Sequence, residues 1–333
     1  MAQTILADYD RQFSWHNYNE SQTKEKSLFL VLLKDLCSLI EEPKHQKGRK
    51  PHKIKDIIYS ICLKTYLNTS SRRVHSDLKL AKDSGHVSKA ISFNSLLENL
   101  ERVDLKQVLR ELIEISAMPL KQIESDFAID ATGFSTSRYE TYFENKWKNR
   151  MHRTGKIFIK CHCVCGVKTN IITSIEITKG RVNDTTQFPN LANDTARNFK
   201  IRNFMGDKAY QSVKNINIIR DMGGRAIIPF KSNQTGKGRV AGDSFTYKKL
   251  FRFFHQNREQ FMDIYHLRSN IESCFSMIKR KFGNNVKCKK EISQENEILA
   301  KVLVHNICVL VQEIFLNQIN INFNKCKEGY IGR

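Results

Sequence analysis

The chain is short of carboxylates for its basic content: 34 aspartates and glutamates stand against 55 lysines and arginines, a formal net charge of +21 over 333 residues. That imbalance argues against an ordinary enzyme of small molecules and gives an attractive field for polyanions, nucleic acid foremost. The opening "MAQTILADYD" holds no signal-peptide core, and the apolar run "LFLVLL" is too short to span a bilayer. A soluble, intracellular protein with no membrane partner is therefore expected. The nine cysteines, an odd number scattered through the chain, make no disulfide framework and read as reduced thiols. No repeat or low-complexity tract occurs. The length exceeds the ~150 residues usual for one domain, so two units with a sizeable core are expected.

Helical spacing fills the first third. "SLFLVLLKDLCSLIEE", "KIKDIIYSICLKTYLN" and "SFNSLLENLERVDLKQVLRELIEIS" place apolar residues three and four apart, with "HQKGRKPHK" and "AKDSGHVSKA" as breaks. Residues 1–122 thus read as an all-α DNA-binding domain. In "NTSSRRVHSDLKLA", Thr69, Ser70 or Ser71 would cap a helix carrying Arg72, Arg73 and Lys79 on exposed positions suited to phosphate contacts. A solvated basic face is the competing reading.

Near residue 123 the period changes. "SDFAID" alternates, and "KIFIKCHCVCG" and "TNIITSIEITKG" are β-rich runs separated at Gly166, Val167 and Lys168, the mark of a hairpin. A helix follows from about Asp184. "IRNFMGDKAY" reads as a short strand, "SVKNINIIRDMGG" as a helix closed by glycine, and "RAIIPFK" as another strand. A short basic insertion, 231–260, precedes one long helix. The order β-β-β-α-β-α-β-α predicts an α/β domain over 123–320, with a mixed sheet, helices on its faces and the layout of ribonuclease-H-like nucleases; 321–333 is a tail.

Carboxylates fall where strands are expected to end. Asp130 would close "FAID" and Asp207 "NFMGD", which delivers both to the carboxyl edge of the sheet. Glu272 lies on the long helix. Two or three carboxylates with a substrate phosphate suffice to hold Mg²⁺ ions, although each aspartate taken singly also reads as a cap or turn former.

The stretch "YHLRSNIESCFSMIK", 265–279, adds a pattern. At roughly 100° per residue, Tyr265, Arg268, Glu272 and Lys279 share a stripe about 60° wide, while Ile264, Leu267, Ile271, Phe275, Ile278 and Phe282 occupy the adjacent arc that would be buried. A plain surface pair between Arg268 and Glu272 fits the same spacing and would contribute only ~0.3–0.5 kcal/mol.

The spacing Tyr-x2-Arg-x3-Glu-x6-Lys, met by Tyr265, Arg268, Glu272 and Lys279, resembles the hallmark of bacterial and archaeal insertion-sequence transposases of the DDE class. "AIDATGFS" around Asp130 and "GDKAY" around Asp207 resemble the first and second acidic motifs of those families. The resemblance spans roughly 123–315. It implies Asp130, Asp207 and Glu272 as a catalytic triad binding Mg²⁺, with Mn²⁺ able to substitute, and Tyr265, Arg268 and Lys279 as phosphate contacts near the end of the element. It also implies DNA ends and target DNA as partners, a homodimer as the working complex, and a cytoplasmic, nucleoid-associated place of action. The basic segment between Asp207 and Glu272 departs from relatives that carry a large β-rich insertion there.

The expected reaction is two-metal-ion hydrolysis followed by joining of the freed 3′-OH to target DNA. An inactive DNA-binding regulator and a metal-dependent nuclease without strand transfer are the alternatives, and a covalent role for Tyr265 fits poorly with an acidic triad. In the connector "SRYETYFENKWKNRMHRTGK", Tyr139, Tyr142 and Trp147 among basic residues suit DNA backbones and unstacked bases. Lys208 and Tyr210 beside Asp207 are structural or phosphate-touching. Cys161, Cys163 and Cys165 share a strand face and read as small buried hydrophobes in preference to zinc ligands.

Overall fold

A computed structural model describes residues 14–44, 48, 50–136, 158–180, 182–232, 234 and 245–332. Among these the chain begins with α1 (Trp15–Ser38), α2 (Ile54–Tyr66), α3 (Val74–Asp83), α4 (Phe93–Leu100) and α5 (Leu105–Ala117). Ser14 and Ser92 cap α1 and α4 by accepting from the Asn17 and Ser95 amides. The apolar run 92–116 is two helices where its spacing suggests one. The carbonyls of Leu100 and Arg102 turn away to accept from Asn296 Nδ2, at 3.0 and 2.9 Å, so the end of α4 is satisfied by a distant side chain. Arg72 and Arg73 are exposed as expected, but they stand in the turn ahead of α3 instead of on its surface. Ser70 Oγ accepts from the Arg73 amide and shapes that turn.

The strands follow with their helices: β1 (Asp126–Phe134), β2 (Ile159–Gly166), β3 (Ile172–Lys179), α6 (Phe188–Asn198), β4 (Asn203–Met205), α7 (Val213–Asp221) and β5 (Arg225–Ile227). They form one five-stranded sheet in the order β3-β2-β1-β4-β5. β1, β2 and β3 pair antiparallel, while β4 runs parallel to β1 and β5 parallel to β4. This is the mixed sheet flanked by helices that the order of periodicities implies. Two boundaries differ. β1 does not stop at Asp130 but continues against β2 to Phe134, because only its first residues have β4 as a second neighbour. The β2–β3 turn begins after Gly166, with Asn170 at φ 63° in the left-handed region. Gly166 stays paired to Phe127. A Cβ at Gly166 would come within 2.3 Å of Glu124 Cδ, and the Glu124 carboxylate accepts from the Lys168 and Thr169 amides to hold the turn.

The last third is helical: α8 (Phe245–Gln256), α9 (Arg258–His266), α10 (Ser269–Phe282), α11 (Glu291–Leu316) and α12 (Phe323–Glu328). The single long helix expected after the insertion is therefore α9 and α10, and α8 lies within 231–260, where a basic insertion is expected. Asn257 leaves helical geometry at φ −121°, ψ 48°. Between α9 and α10 the backbone tightens to i→i−3 bonds, Arg268 N to Tyr265 O at 2.9 Å and Ile271 N to Arg268 O at 3.1 Å. The α10 face expected to be buried is buried, through Ile271, Phe275, Ile278 and Phe282.

α11 is the hub. It is long and apolar enough to cross a membrane, but 78% of its most apolar window is buried within the chain. It packs against α1, α2, α5 and α10, and one continuous core joins these helices to the sheet. Several of its buried polar groups have defined partners. Asn306 donates to Ile172 O at 2.8 Å and to Ser116 Oγ at 3.0 Å, and accepts from Ile172 N at 2.9 Å, docking helix, strand and α5 together. The tail is docked too: Phe323 is buried, and Tyr330 Oη donates to Glu114 at 2.8 Å.

Candidate active site

Parallel pairing of β1 with β4 places the first two acids. The register sets Ala128 beside Met205, and two residues further along each chain stand Asp130 and Asp207. Neighbouring strands lie about 4.8 Å apart, so Asp130 within β1 and Asp207 just beyond β4 stand side by side at the carboxyl end of β4. Asp207 also caps the short 3₁₀ turn Lys208–Tyr210, with Oδ1 accepting from the Ala209 amide at 2.6 Å. The cap fixes one carboxylate oxygen and leaves the other without a hydrogen-bond partner among the described residues.

Burial pushes the Asp130 carboxyl above its ordinary range, and the nearby Asp207 charge adds to that. The Ala131 amide, at 2.8 Å from Oδ1, and Arg268 work in the opposite direction. Arg268 is the central contact of the site. Its guanidinium donates to Asp130 Oδ2 at 2.8 Å and to Glu272 Oε1 at 2.6 Å, so one cation bridges two of the three acids. Burial opposes its charge, but Tyr265, Asp130 and Glu272 outweigh that and raise its pKa. The guanidinium also lies 5.8 Å from the centre of the Tyr265 ring.

The tightened turn between α9 and α10 makes this reach possible. Tyr265 closes α9, Arg268 stands at the N-terminal boundary of α10 and Glu272 lies in its first turn. Glu272 stays open to solvent, with 59% of its side chain exposed. Lys279 sits two turns on, half-buried, with Nζ 5.6 Å from the Phe134 ring centre; burial lowers its pKa. An open groove of about 680 Å³ runs between β1 and α10, lined by Asp130, Thr132, Glu272, Ser276, Lys279 and Arg280.

Asp130, Glu272 and Lys279 thus share one groove, Asp207 joins from the next strand, and Arg268 and Tyr265 border it. Lys208 is exposed beside Asp207. Arg72 and Arg73, in the turn ahead of α3, do not line this groove, and Arg72 lies over the Phe93 ring at 5.3 Å. Trp147, Tyr139 and Tyr142 lie outside the described residues. Tyr210 is buried, its hydroxyl has no hydrogen-bond partner among the described residues, and burial together with Asp130, Asp184 and Asp207 drives its pKa upward. Asp184 is a neighbour that the sequence disguises as a helix start. It pairs with Lys160 at 2.8 Å and lies 3.4 Å from His162 Nδ1, a contact set by the β2 register that no local spacing announces. Arg280 in the groove likewise reads in the sequence as one more exposed helix cation.

Among the described residues no three His, Cys, Asp or Glu side chains stand close enough to hold a metal ion together. Arg268 explains the separation, because it occupies the space between Asp130 and Glu272. The donor chemistry nevertheless fits a hard divalent cation. Asp130 and Asp207 are adjacent carboxylates, and one or two carboxylates with substrate phosphates are a sufficient set for Mg²⁺. The three cysteines on β2 are fully buried small hydrophobes.

A family model described as a transposase DDE domain matches residues 121–307, more than half of the chain. Comparison with curated proteins gave no match. Among solved structures, the chain is similar to a piggyBac transposase in the cryo-EM structure of its synaptic complex with hairpin DNA. That likeness has a TM-score of 0.41 at 10% identity, over 91% of this chain and 76% of the other.

Proposed function

From the premise that this chain belongs to the family of transposase DDE domains, we propose that it binds the terminal inverted repeats of an insertion sequence, cleaves DNA there by metal-dependent hydrolysis and joins the 3′-OH ends to target DNA. The observation that carries the reading is the meeting of Asp130, within β1, and Asp207, just past the end of the parallel strand β4, with Glu272 tied to Asp130 through Arg268. The strand order β3-β2-β1-β4-β5, with three antiparallel and two parallel members, supports a ribonuclease-H-like catalytic unit over 123–320. Residues 1–122 would supply contacts to the DNA ends. The working complex would be a homodimer acting on nucleoid DNA in the cytoplasm.

Asp130, Asp207 and Glu272 would hold Mg²⁺, or Mn²⁺ in its place. When bound, such ions lower the pKa of a water and neutralise the leaving 3′ oxygen of the phosphodiester. The chain's own contribution is positioning and charge. Asp130 and Asp207 are fixed by the sheet and by backbone amides, so their carboxylates need no reorganisation when the substrate arrives. Arg268 would exchange its carboxylates for a substrate phosphate, which frees Glu272 to complete the triad. Lys279, half-buried at the groove wall, would hold a second phosphate, and Tyr265 supports Arg268 through its ring.

The test is a labelled element-end duplex incubated with the protein, Mg²⁺ and a target plasmid. Cleavage at the end together with joined product is expected, and the DNA flanking the gene should carry short inverted repeats bordered by a small direct duplication. Cleavage without joining would reduce the protein to a nuclease. Binding without cleavage would leave a regulator.

A further inference from the structure

The turn after α2 faces the α10–α11 connection across a cleft of about 670 Å³ whose lining residues are all distinct from those of the carboxylate groove. Its walls carry Lys64, Arg73, Lys287, Lys289 and Lys290 against one carboxylate, Glu101. Glu101 is already spent on Lys290, 2.5 Å away. Lys287 staples the two walls together, with Nζ donating to the carbonyl and side-chain oxygens of Asn68 at 2.8 and 2.6 Å.

Lys64 is the decisive member. It is only 7% exposed, lines the cleft, and meets no hydrogen-bond acceptor or carboxylate among the described residues. Its aliphatic stem is buried while the ammonium keeps access to the cleft, so the charge is available to an anion seated there. Thr69 Oγ1, also on the lining, is a buried hydroxyl without a partner. A cation without an ion-pair partner among the described residues and an unanswered hydroxyl thus line one cleft together with the exposed Arg73 and Lys289.

We propose that this cleft binds the phosphodiester backbone of duplex DNA, at a site separate from the carboxylate groove, and so locks the N-terminal helices and the α10–α11 connection onto one DNA segment. The ligand chemistry is a phosphate oxyanion. DNA is favoured over a small free anion because five cations are spread over both walls of an open cleft, more positive charge than one small anion would use. The choice of DNA rests on the transposase reading; the basic lining of the cleft does not. Because α10 carries Glu272 and Lys279 and leads directly into the cleft wall, a duplex seated there approaches the groove in a fixed direction.

The experiment is fluorescence anisotropy of a short labelled duplex in EDTA across a range of salt, with the full chain and the variants Lys64→Gln, Arg73→Gln and Lys289→Gln. Each variant should shallow the slope of log K against log salt by about 1 and weaken binding alike on all sequences. Arg73 and Lys289 are exposed, so those two variants report even if Lys64→Gln fails to fold. A competition arm at constant ionic strength adds inorganic phosphate, which should not displace the duplex selectively from the wild type. Wild-type slopes in both surface variants would overturn the proposal, as would a site that binds inorganic phosphate while contributing nothing to duplex affinity. Metal is absent from the assay, so loss of the cleft and loss of the cleavage reading are separable. Altered slopes in a protein that never cuts DNA would keep the cleft, and normal cutting with unaltered slopes would remove the cleft alone.

Discussion

Replacing Arg268 by glutamine tests whether the bridge holds the two acids unequally. Its arm to Asp130 is shielded, with side chains 19% and 25% exposed, whereas the Glu272 end of the other arm is 59% exposed. A charge-assisted hydrogen bond in the first setting contributes about 1.5–3 kcal/mol, and the exposed i,i+4 pair about 0.3–0.5 kcal/mol. Arg268→Gln should therefore destabilise the metal-free protein by about 2 kcal/mol, nearly all of it from leaving Asp130 half-buried beside Asp207 without its cation. Glu272→Gln should cost only a few tenths of a kcal/mol. In the double variant Asp130→Asn with Arg268→Gln, much of the loss should return, because the stranded carboxylate is gone. The assay is urea unfolding of the four proteins in EDTA at neutral pH. If Arg268→Gln and Glu272→Gln are destabilised equally, or if the double variant is no better than the single, the unequal bridge is refuted.

Glu124 predicts a pH dependence. Burial raises its carboxyl from 4.5 to about 7, against the hydrogen bonds from Thr169 and Lys168 that lower it, so the folded chain binds the extra proton between those values. Stability should accordingly be full below about 4.5 and fall as pH rises through about 7, by roughly 3 kcal/mol, and unfolding of Glu124→Gln should lose that slope. Lys279→Ala should shallow the salt dependence of DNA binding by about 1 and reduce cleavage more than affinity, since a displaced phosphate falls out of line with its attacking water; an unchanged slope with normal cleavage would make Lys279 a packing residue over Phe134.

The sheet was readable because its strands are bounded by turn residues and its period is local. Asp207 could be placed for the same reason, just past a short strand, whereas Asp130 stands beside it through the parallel pairing of β1 with β4 although β1 itself runs on to Phe134. Contacts set by tertiary register were not readable. Arg268 was visible as a partner of Glu272 four residues on, but its second bond to Asp130 crosses 138 residues and depends on a tightened turn that no residue type in "HLRS" demands. α11 looks like an ordinary apolar helix in the sequence, yet its Asn296 and Asn306 decide where α4 ends and how the edge strand docks. Lys64, in the last turn of α2, becomes informative only once the α10–α11 connection places it on the lining of a shared cleft.

The central claim is that Asp130, Asp207 and Glu272 act together in metal-dependent DNA cleavage. It is tested most directly by comparing wild type with Asp130→Ala, Asp207→Ala and Glu272→Ala on one labelled element-end duplex, reading cleavage in Mg²⁺ or Mn²⁺ and binding in Ca²⁺, whose looser coordination suits the in-line reaction poorly. Each variant should bind the end nearly as well as wild type and cut it not at all, with Mn²⁺ replacing Mg²⁺ and Ca²⁺ supporting binding alone. Retained cleavage in Asp207→Ala would contradict the account, because the pairing of β1 with β4 would then have brought two aspartates together for no catalytic purpose.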